Sequence, residues 1–427
     1  MFYRDNELRA LLEGRSILLA GYGREGKSSE RMIRRLLPDA DIAIAEGNDQ
    51  IRDMAGRGFD LIVKSPGVPL FVLEDLCPLD RITSQTDLFL QVYADHVLGV
   101  TGTKGKSTTT NLIAEAMRCH NPHTIMAGNM GIPLFDIVDT LADDAVVVAE
   151  FSCHQLENIH RSPHVGIVLN LFEEHLDHYH SYLDYQMAKM QIAMHQQSAD
   201  HFFYCSDNAT LALRVEEHKN RMQGTVTAYS LHHDLARSLS ALPSHLRGDH
   251  NLSNIVVARM ATQVLGVTDT EFASALASFQ GLEHRLELIG TYSGITFYND
   301  SISTIPQACI AAVESLKKVD TLILGGFDRG IGYEPLARFI ATSAVRNIAF
   351  VGNAGLRIKD LLDQNGWSQS HCSIVSNNYE EIVRFCFDHT APGTICLLSP
   401  AAASYDAFKN FEHRGQVFKQ LVRGEKQ

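Results

Sequence analysis

Short, unbroken apolar runs recur along the chain, each bounded by glycine, proline or a charged stretch. SILLA (16–20), IAIA (42–45), LIVKS (61–65), HVLGVT (96–101), AVVVAEF (145–151), GIVLNL (166–171), TLILGG (321–326), IAFVG (348–352) and ICLLS (395–399) carry apolar residues mostly at consecutive rather than alternate positions. A strand with one face in water alternates; a strand covered on both faces does not, so the pattern predicts parallel sheets between layers of helices. β and α segments alternate along the chain, which is the order of an α/β fold. Two breaks divide it into three domains, 1–90, 91–284 and 285–427. A new strand, loop and helix unit starts near Leu90, and another block opens after GLEHRLEL (281–288). No internal repeat or low-complexity segment is found.

Composition narrows the class. At 427 residues with 45% hydrophobic and 20% charged positions, the chain can bury a substantial core and is no disordered polymer. Lys+Arg number 37 against 50 Asp+Glu, a net −13 with no long basic run, so neither nucleic acid nor an anionic membrane is expected as a partner. The eight cysteines form no C-x-x-C pair and read as reduced thiols of a cytoplasmic protein. Charges throughout the first fifteen residues and the lack of any run of about 18 apolar residues fit that location.

Two glycine-rich turns carry the candidate chemistry. LLAGYGREG places Gly21, Gly23 and Gly26 in G-x-G-x-x-G spacing after a strand, with Glu46 following the next strand. Alone, this is the dinucleotide fingerprint of an NAD-dependent oxidoreductase, although the glycines report only a tight turn whose amides can approach some phosphate. The stronger signal is VLGVTGTKGKSTTTNLI (97–113), a strand, a glycine loop and a helix. There Gly102 and Gly105 let amides point inward, Lys106 can reach the β and γ phosphates, and Ser107 or Thr108 can ligate Mg²⁺. Its spacing departs by one residue from G-x-x-x-x-G-K-[ST]. Glu150, closing the run AVVVAE, is the expected metal carboxylate. NLFEEHLDHYH (170–180) invites a zinc reading through His175, His178 and His180, with Glu173, Glu174 and Asp177. Histidines at i, i+3 and i+5 do not converge on one helix face and no H-E-x-x-H occurs, so the cluster reads as solvated surface with room for one ligand.

GVTGTKGKSTTT, GNMGIPL, AEFSCHQLE, NLFEEHLDHY, YQMAKMQIA, RGDHNLSNIVVA, GLEHRLELI, YNDSIST, LILGGFDRG and LLSPAAASYDAFKNFEHRG follow one another in an order that resembles the Mur ligases, over nearly the whole chain. DAFKNFEHRG is the most specific to the glutamate-adding branch. The resemblance implies a Rossmann-like N-terminal domain for a UDP-sugar, a central P-loop ATPase domain with a parallel sheet, and a Rossmann-like C-terminal domain for the amino acid. It also implies an ATP- and Mg²⁺-dependent ligase joining D-glutamate to UDP-N-acetylmuramoyl-L-alanine through an acyl phosphate, acting as a monomer. Gly21 and Gly23, with Glu46, would then face the UDP pyrophosphate end of the substrate.

Further roles are implied residue by residue. The loop Gly102, Thr103, Lys104, Gly105, Lys106, Ser107 and Thr108 would hold the ATP phosphates, and Ser107 with Glu150 the first Mg²⁺. His175 would ligate a second metal. Lys189 would carry a carbamate that supports the metals, since an ammonium there would repel them. Asn129, Asn251, Asn254, Arg285 and Asp300 would contact the nucleotide, and Thr304, Arg329, Ser404 and Phe411 the glutamate, with Arg329 gripping its side-chain carboxylate. His178 and His180 receive no role, and no residue is marked as general base. Closure of the C-terminal domain is expected to keep water from the acyl phosphate.

Two positions depart from the family pattern: Ile302 replaces a common lysine in NDSIST, and Lys104 replaces a common Asn. Three alternatives stay open. These are a paralogue adding L-glutamate or another amino acid, the NAD-dependent oxidoreductase, and a nucleotide-binding regulator without turnover.

Overall fold

The computed structural model describes residues 4–129, 131–174, 178–246, 248–364, 366–367 and 371–424. They form three sheets. The first consists of β1 (Ile17–Ala20), β2 (Ile42–Ala45), β3 (Leu61–Lys64) and β4 (Ile82–Thr83), in the order β2-β1-β3-β4. The second contains β5 (Val97–Thr101), β6 (Thr124–Gly128), β7 (Val146–Glu150), β8 (Val165–Val168), β9 (His201–Cys205) and β10 (Thr225–Tyr229), ordered β10-β9-β8-β5-β7-β6. Every pair in both sheets is parallel. The third comprises β11 (Glu287–Tyr292), β12 (Ile295–Asn299), β13 (Val319–Gly325), β14 (Asn347–Val351), β15 (Cys372–Val375) and β16 (Ile395–Leu398), ordered β11-β12-β16-β13-β14-β15.

The consecutive apolar runs do cover both faces of their sheets. In β1, Ile17 and Leu19 enter one apolar core while Leu18 and Ala20 enter another. In the third sheet Leu322, Leu324 and Leu397 point to one core, and Ile323, Cys396 and Leu398 to the other. The first of these cores is continuous from the first sheet into the second, joining Leu19 and Val63 to Leu98 and Ile167. The chain accordingly forms two compact units, 1–279 and 280–427.

All nine apolar runs are strands within three residues at either end. One expectation needs correction, because the third sheet is not wholly parallel. β11 and β12 form an antiparallel hairpin, Tyr292 opposite Ile295, around Ser293 (φ 52°) and Gly294 (φ 80°). Two central residues with positive φ match the right-handed twist of a two-residue hairpin. β12 then alternates in burial, a pattern that a search for consecutive apolar runs passes over.

Strand order places the candidate loops. The chain leaves β5 for β6 and β7 on one side and returns to β8 on the other, so the loop after β5 lies at a topological switch point, where α/β sheets bind ligands. The turn after β1 sits likewise between β2 and β3. No helix among the described residues is long and apolar enough to cross a membrane, and none of the eight cysteines is in a disulfide.

Buried polar joints weld the first two sheets. Lys64, ending β3, lies 2.5 Å from Glu157 with both side chains almost fully buried, and Gln155 donates to Glu25 at 2.7 Å. Asp87 accepts from the backbone N–H of His160 at 2.7 Å and lies 2.9 Å from its ring. Lys64→Met leaves the buried Glu157 carboxylate with His178 as its remaining basic neighbour and is expected to lower the stability of residues 1–279 by ~3 kcal/mol, whereas adding Glu157→Leu recovers most of the loss. Urea unfolding of the single and double variants measures this; equal losses would show that the pair carries no coupling.

Candidate active site

Backbone geometry makes the loop after β5. Gly102 has φ 150° and Gly105, the N-cap of helix Lys106–His120, has φ 87°. A Cβ on Gly105 would come within 2.8 Å of the Asn254 side chain, so both the turn and the neighbouring helix Asp249–Val264 require glycine there. Asn170, just beyond β8, clamps the loop from the other side. Its carbonyl accepts from Thr103 N–H at 3.0 Å, and its side chain exchanges bonds with the Lys104 backbone at 2.8 and 3.0 Å. Thr103 Oγ1 meets the Tyr185 hydroxyl at 2.8 Å. The first amides of helix Lys106–His120 then open on the loop, as at an anion site.

Two lysines converge on this backbone. Lys106 Nζ donates to the carbonyls of Gly102 and Thr103, each at 3.0 Å, and Lys189 Nζ reaches the same Gly102 oxygen at 3.0 Å from helix Tyr182–Met194. Burial pushes the pKa of Lys106 down, and that of Lys189, 2% exposed, down to about 8. The neighbouring Lys106 charge adds to the second shift.

Glu150 ends β7 opposite Val100 of β5, which sets it beside the base of the loop. Its Oε1 accepts from Asn129 Nδ2 at 2.7 Å, while its buried Oε2 has no hydrogen-bond partner. An unpaired buried carboxylate oxygen is costly, and a hard cation satisfies it. Ser107 and Thr108 are buried in the first turn of the helix. This donor set fits Mg²⁺ bound by few protein oxygens, with phosphate and water completing the shell. Among the described residues no cluster of three His, Cys, Asp or Glu could hold a metal alone. His175 lies outside the described residues. Asn254 is buried, and its Nδ2 lies 3.5 Å from Asn251 Oδ1.

Lys104 does not turn toward the helix terminus; its ammonium pairs with Glu174 at 2.7 Å in an exposed position. His178 stands 3.5 Å from Glu157 and His180 3.4 Å from Glu74, so neither histidine belongs to a metal cluster among the described residues. At the first turn, Gly21 (φ 89°) receives Ser65 Oγ on its carbonyl at 2.8 Å, and Gly23 is the N-cap of helix Arg24–Leu36. Glu46 is exposed after β2.

The remaining expected residues lie in the second unit. Asp300 follows β12, 2% exposed, and accepts from Ser303 Oγ, Ser399 Oγ and Leu286 N–H at 2.5, 2.8 and 3.1 Å. Burial nevertheless raises its pKa to about 6, against the pull of those donors and of the exposed Arg285. Exposed Arg329 donates to the Thr304 carbonyl at 2.8 Å. Ser404 is buried, and the Phe411 ring packs edge-on to His284 at 6.2 Å. The expected residues thus form two groups, one in each unit. Two structural residues escaped the sequence reading: Asn170, which shapes the phosphate loop, and Arg414, buried in helix Phe411–Arg423. Both stand in motifs quoted above, NLFEEHLDHY and EHRG, where their residue type alone carried no signal.

The model of the Mur ligase middle domain matches residues 100–262. The UDP-N-acetylmuramoylalanine--D-glutamate ligase of Desulfitobacterium hafniense is 31% identical, over 96% of this chain and 98% of that protein. The chain belongs to the Mur ligase family. Solved Mur ligases share its fold at low identity. The UDP-N-acetylmuramate-alanine ligase of Thermotoga maritima is 16% identical with a TM-score of 0.56, covering 96% of this chain and all of that one. A MurF ligase of the same organism, solved with ADP, is 15% identical with a TM-score of 0.53, covering 96% and 94%. Membership of this family sets aside the dinucleotide reading of the first glycine turn as an identification.

Asp300 gives this family member a testable pH signature. Its carboxyl holds a proton up to about pH 6 when folded but only to its ordinary 3.8 when unfolded. The unfolded state therefore releases the proton first, and stability present below pH 4 is lost as pH rises through 6. Relative to Asp300→Asn, the wild type should lose on the order of 2–3 kcal/mol across that window in denaturant titrations. Parallel profiles would mean the carboxyl is not perturbed.

Proposed function

We propose that this chain joins D-glutamate to UDP-N-acetylmuramoyl-L-alanine with conversion of ATP to ADP and phosphate, as an amide ligase of peptidoglycan precursor synthesis. The observation that carries the reading is the meeting of a helix N-terminus, two buried lysines and the unpartnered Glu150 oxygen at one glycine loop. The substrates follow from the named relative, whose likeness spans 96% of the chain. On this reading residues 1–90 hold the sugar nucleotide through Gly21, Gly23 and Glu46. Residues 91–284 hold ATP, and 285–427 hold the amino acid, with Arg285 and Asp300 reaching the nucleotide.

The substrate's alanine carboxylate attacks the γ-phosphate of ATP, forming an acyl phosphate and releasing ADP. The amine of glutamate then attacks the acyl carbon, loses a proton, and expels phosphate to leave the amide. Amides of residues 105–108 and the Lys106 ammonium hold the phosphates while charge builds on them. Ser107 and Glu150 would hold Mg²⁺, which when bound supplies further charge neutralisation. Asn129 fixes the Glu150 carboxylate by its 2.7 Å bond, Asn254 flanks the loop, and Asn251 lies behind it, 3.5 Å from Asn254. Thr304, Arg329, Ser404 and Phe411 receive the glutamate.

Lys189 is suited to a different task from Lys106. Its pKa near 8 leaves a usable fraction of free amine at neutral pH, and a free amine adds to CO₂ to give a carbamate and a proton. The resulting anion would relieve the repulsion of two ammoniums at one carbonyl and would support a second metal with His175. Incubation with ¹³C-bicarbonate should give a carbamate carbon resonance that vanishes in Lys189→Ala. That variant should lose about a hundredfold in turnover, with partial recovery on adding a short carboxylate.

Phosphate release from ATP in the presence of UDP-N-acetylmuramoyl-L-alanine tests the function. D-glutamate should trigger release and L-glutamate should not, and Lys106→Ala should lower kcat at least about a hundredfold. Release with L-glutamate instead would move the chain to the other amino-acid branch. Silence with every amino acid would refute the nucleotide substrate.

A further inference from the structure

Arg414 is 1% exposed, and its hydrogen bonds run to uncharged oxygens. Nε donates to Ser301 Oγ at 2.9 Å, Nη2 to the carbonyls of Ser301 and Ala402 at 2.8 and 3.1 Å, and Nη1 to those of Ala402 and Ala403 at 3.1 and 3.2 Å. A guanidinium almost always meets a carboxylate when buried this deeply, because neutral oxygens recover only part of its hydration. Among the described residues none forms an ion pair with it, and burial pushes its pKa down despite the fields of Tyr379 and Asp406.

Four separate segments depend on this one side chain. Ser301, bonded through both its hydroxyl and its carbonyl, starts the segment that ends in Thr304. Ser301 Oγ passes its own proton to the Phe411 carbonyl at 2.8 Å, tying in the start of helix Phe411–Arg423. The Ala403 carbonyl accepts from Arg414 and also from Phe327 N–H at 2.9 Å, which fixes the segment leading to Arg329. A Cβ on Gly326 would lie 2.3 Å from that carbonyl and 3.2 Å from Arg414 Nη1, so backbone and guanidinium are in close contact. The fourth segment runs from Ala401, held at φ 56°, to Ser404. Thr304, Arg329, Ser404 and Phe411 are the four residues assigned above to the glutamate, one on each segment.

The geometry also has an electrical side. A peptide is planar, with its N–H on the edge opposite its C=O. The carbonyls of Ala402 and Ala403 face the guanidinium, so the N–H groups of Ala403 and Ser404 point away from it and are polarised as donors.

We propose that Arg414 is the positioning residue of the amino-acid site, holding its four segments in register. The inference rests on the function proposed above and adds to it a residue that touches no substrate.

Ser301→Ala and Arg414→Lys test it through initial rates of D-glutamate-dependent phosphate release, with each substrate varied in turn. Ser301→Ala removes two bonds of the network while leaving the charge, and should raise the KM for glutamate roughly tenfold with the KM values for ATP and the sugar nucleotide unchanged. Arg414→Lys keeps the charge but not the fork; it should raise the same KM further. A wild-type glutamate KM in Ser301→Ala, or an equal rise in all three KM values, would overturn the proposal, and Ser301→Ala decides alone should Arg414→Lys fail to fold. A wild type that releases no phosphate with D-glutamate removes the functional reading, and this inference with it. That result is distinct from an active wild type whose variants have unchanged KM.

Discussion

A single carbonyl oxygen, that of Gly102, organises the catalytic half of this protein. It accepts from Lys106 on one helix and from Lys189 on another, at 3.0 Å each, and so draws two cations into a region where water is scarce. Like charges so close raise each other's cost of ionisation, and desolvation adds to it. Much nearby structure answers that cost: Glu150 supplies negative charge, Asn170 and Asn254 hold the loop backbone, and the helix terminus waits for an anion. The loop thus gathers two ammoniums and a helix N-terminus around one carboxylate, the electrostatic setting of an anion site.

The second unit solves a related problem differently. There the buried Arg414 orders the peptides around it, while Arg329 stands exposed and donates to the Thr304 carbonyl. Ile302 fits the same scheme. Its side chain brings no charge, and its backbone N–H donates to the His284 carbonyl at 3.1 Å, which holds the local turn.

Much of this was legible in the sequence because it rests on local rules. Consecutive apolar residues marked the doubly covered strands, and glycines at 102 and 105 marked positive φ before a helix. Edge and half-exposed strands escaped: β10 is mostly half-buried, β15 is mostly exposed, and β12 alternates, so none shows a solid apolar run. The pairing of Lys104 with Glu174 was equally unreadable, since two residues 70 apart meet only through tertiary structure. The same holds for Arg414, whose partners come from segments more than a hundred residues away as well as from its own neighbourhood. Local motifs announce which chemistry is present; the groups that hold it in place are chosen by the fold.

The division of the core has an evolutionary consequence. The first two sheets share one apolar core and are cross-linked by buried polar pairs, whereas the third sheet carries its own cores on both faces. A substitution within the apolar cores of residues 280–427 therefore needs no compensating change in the core shared by the first two sheets. Drift can repack the core of one unit while the other keeps its side chains.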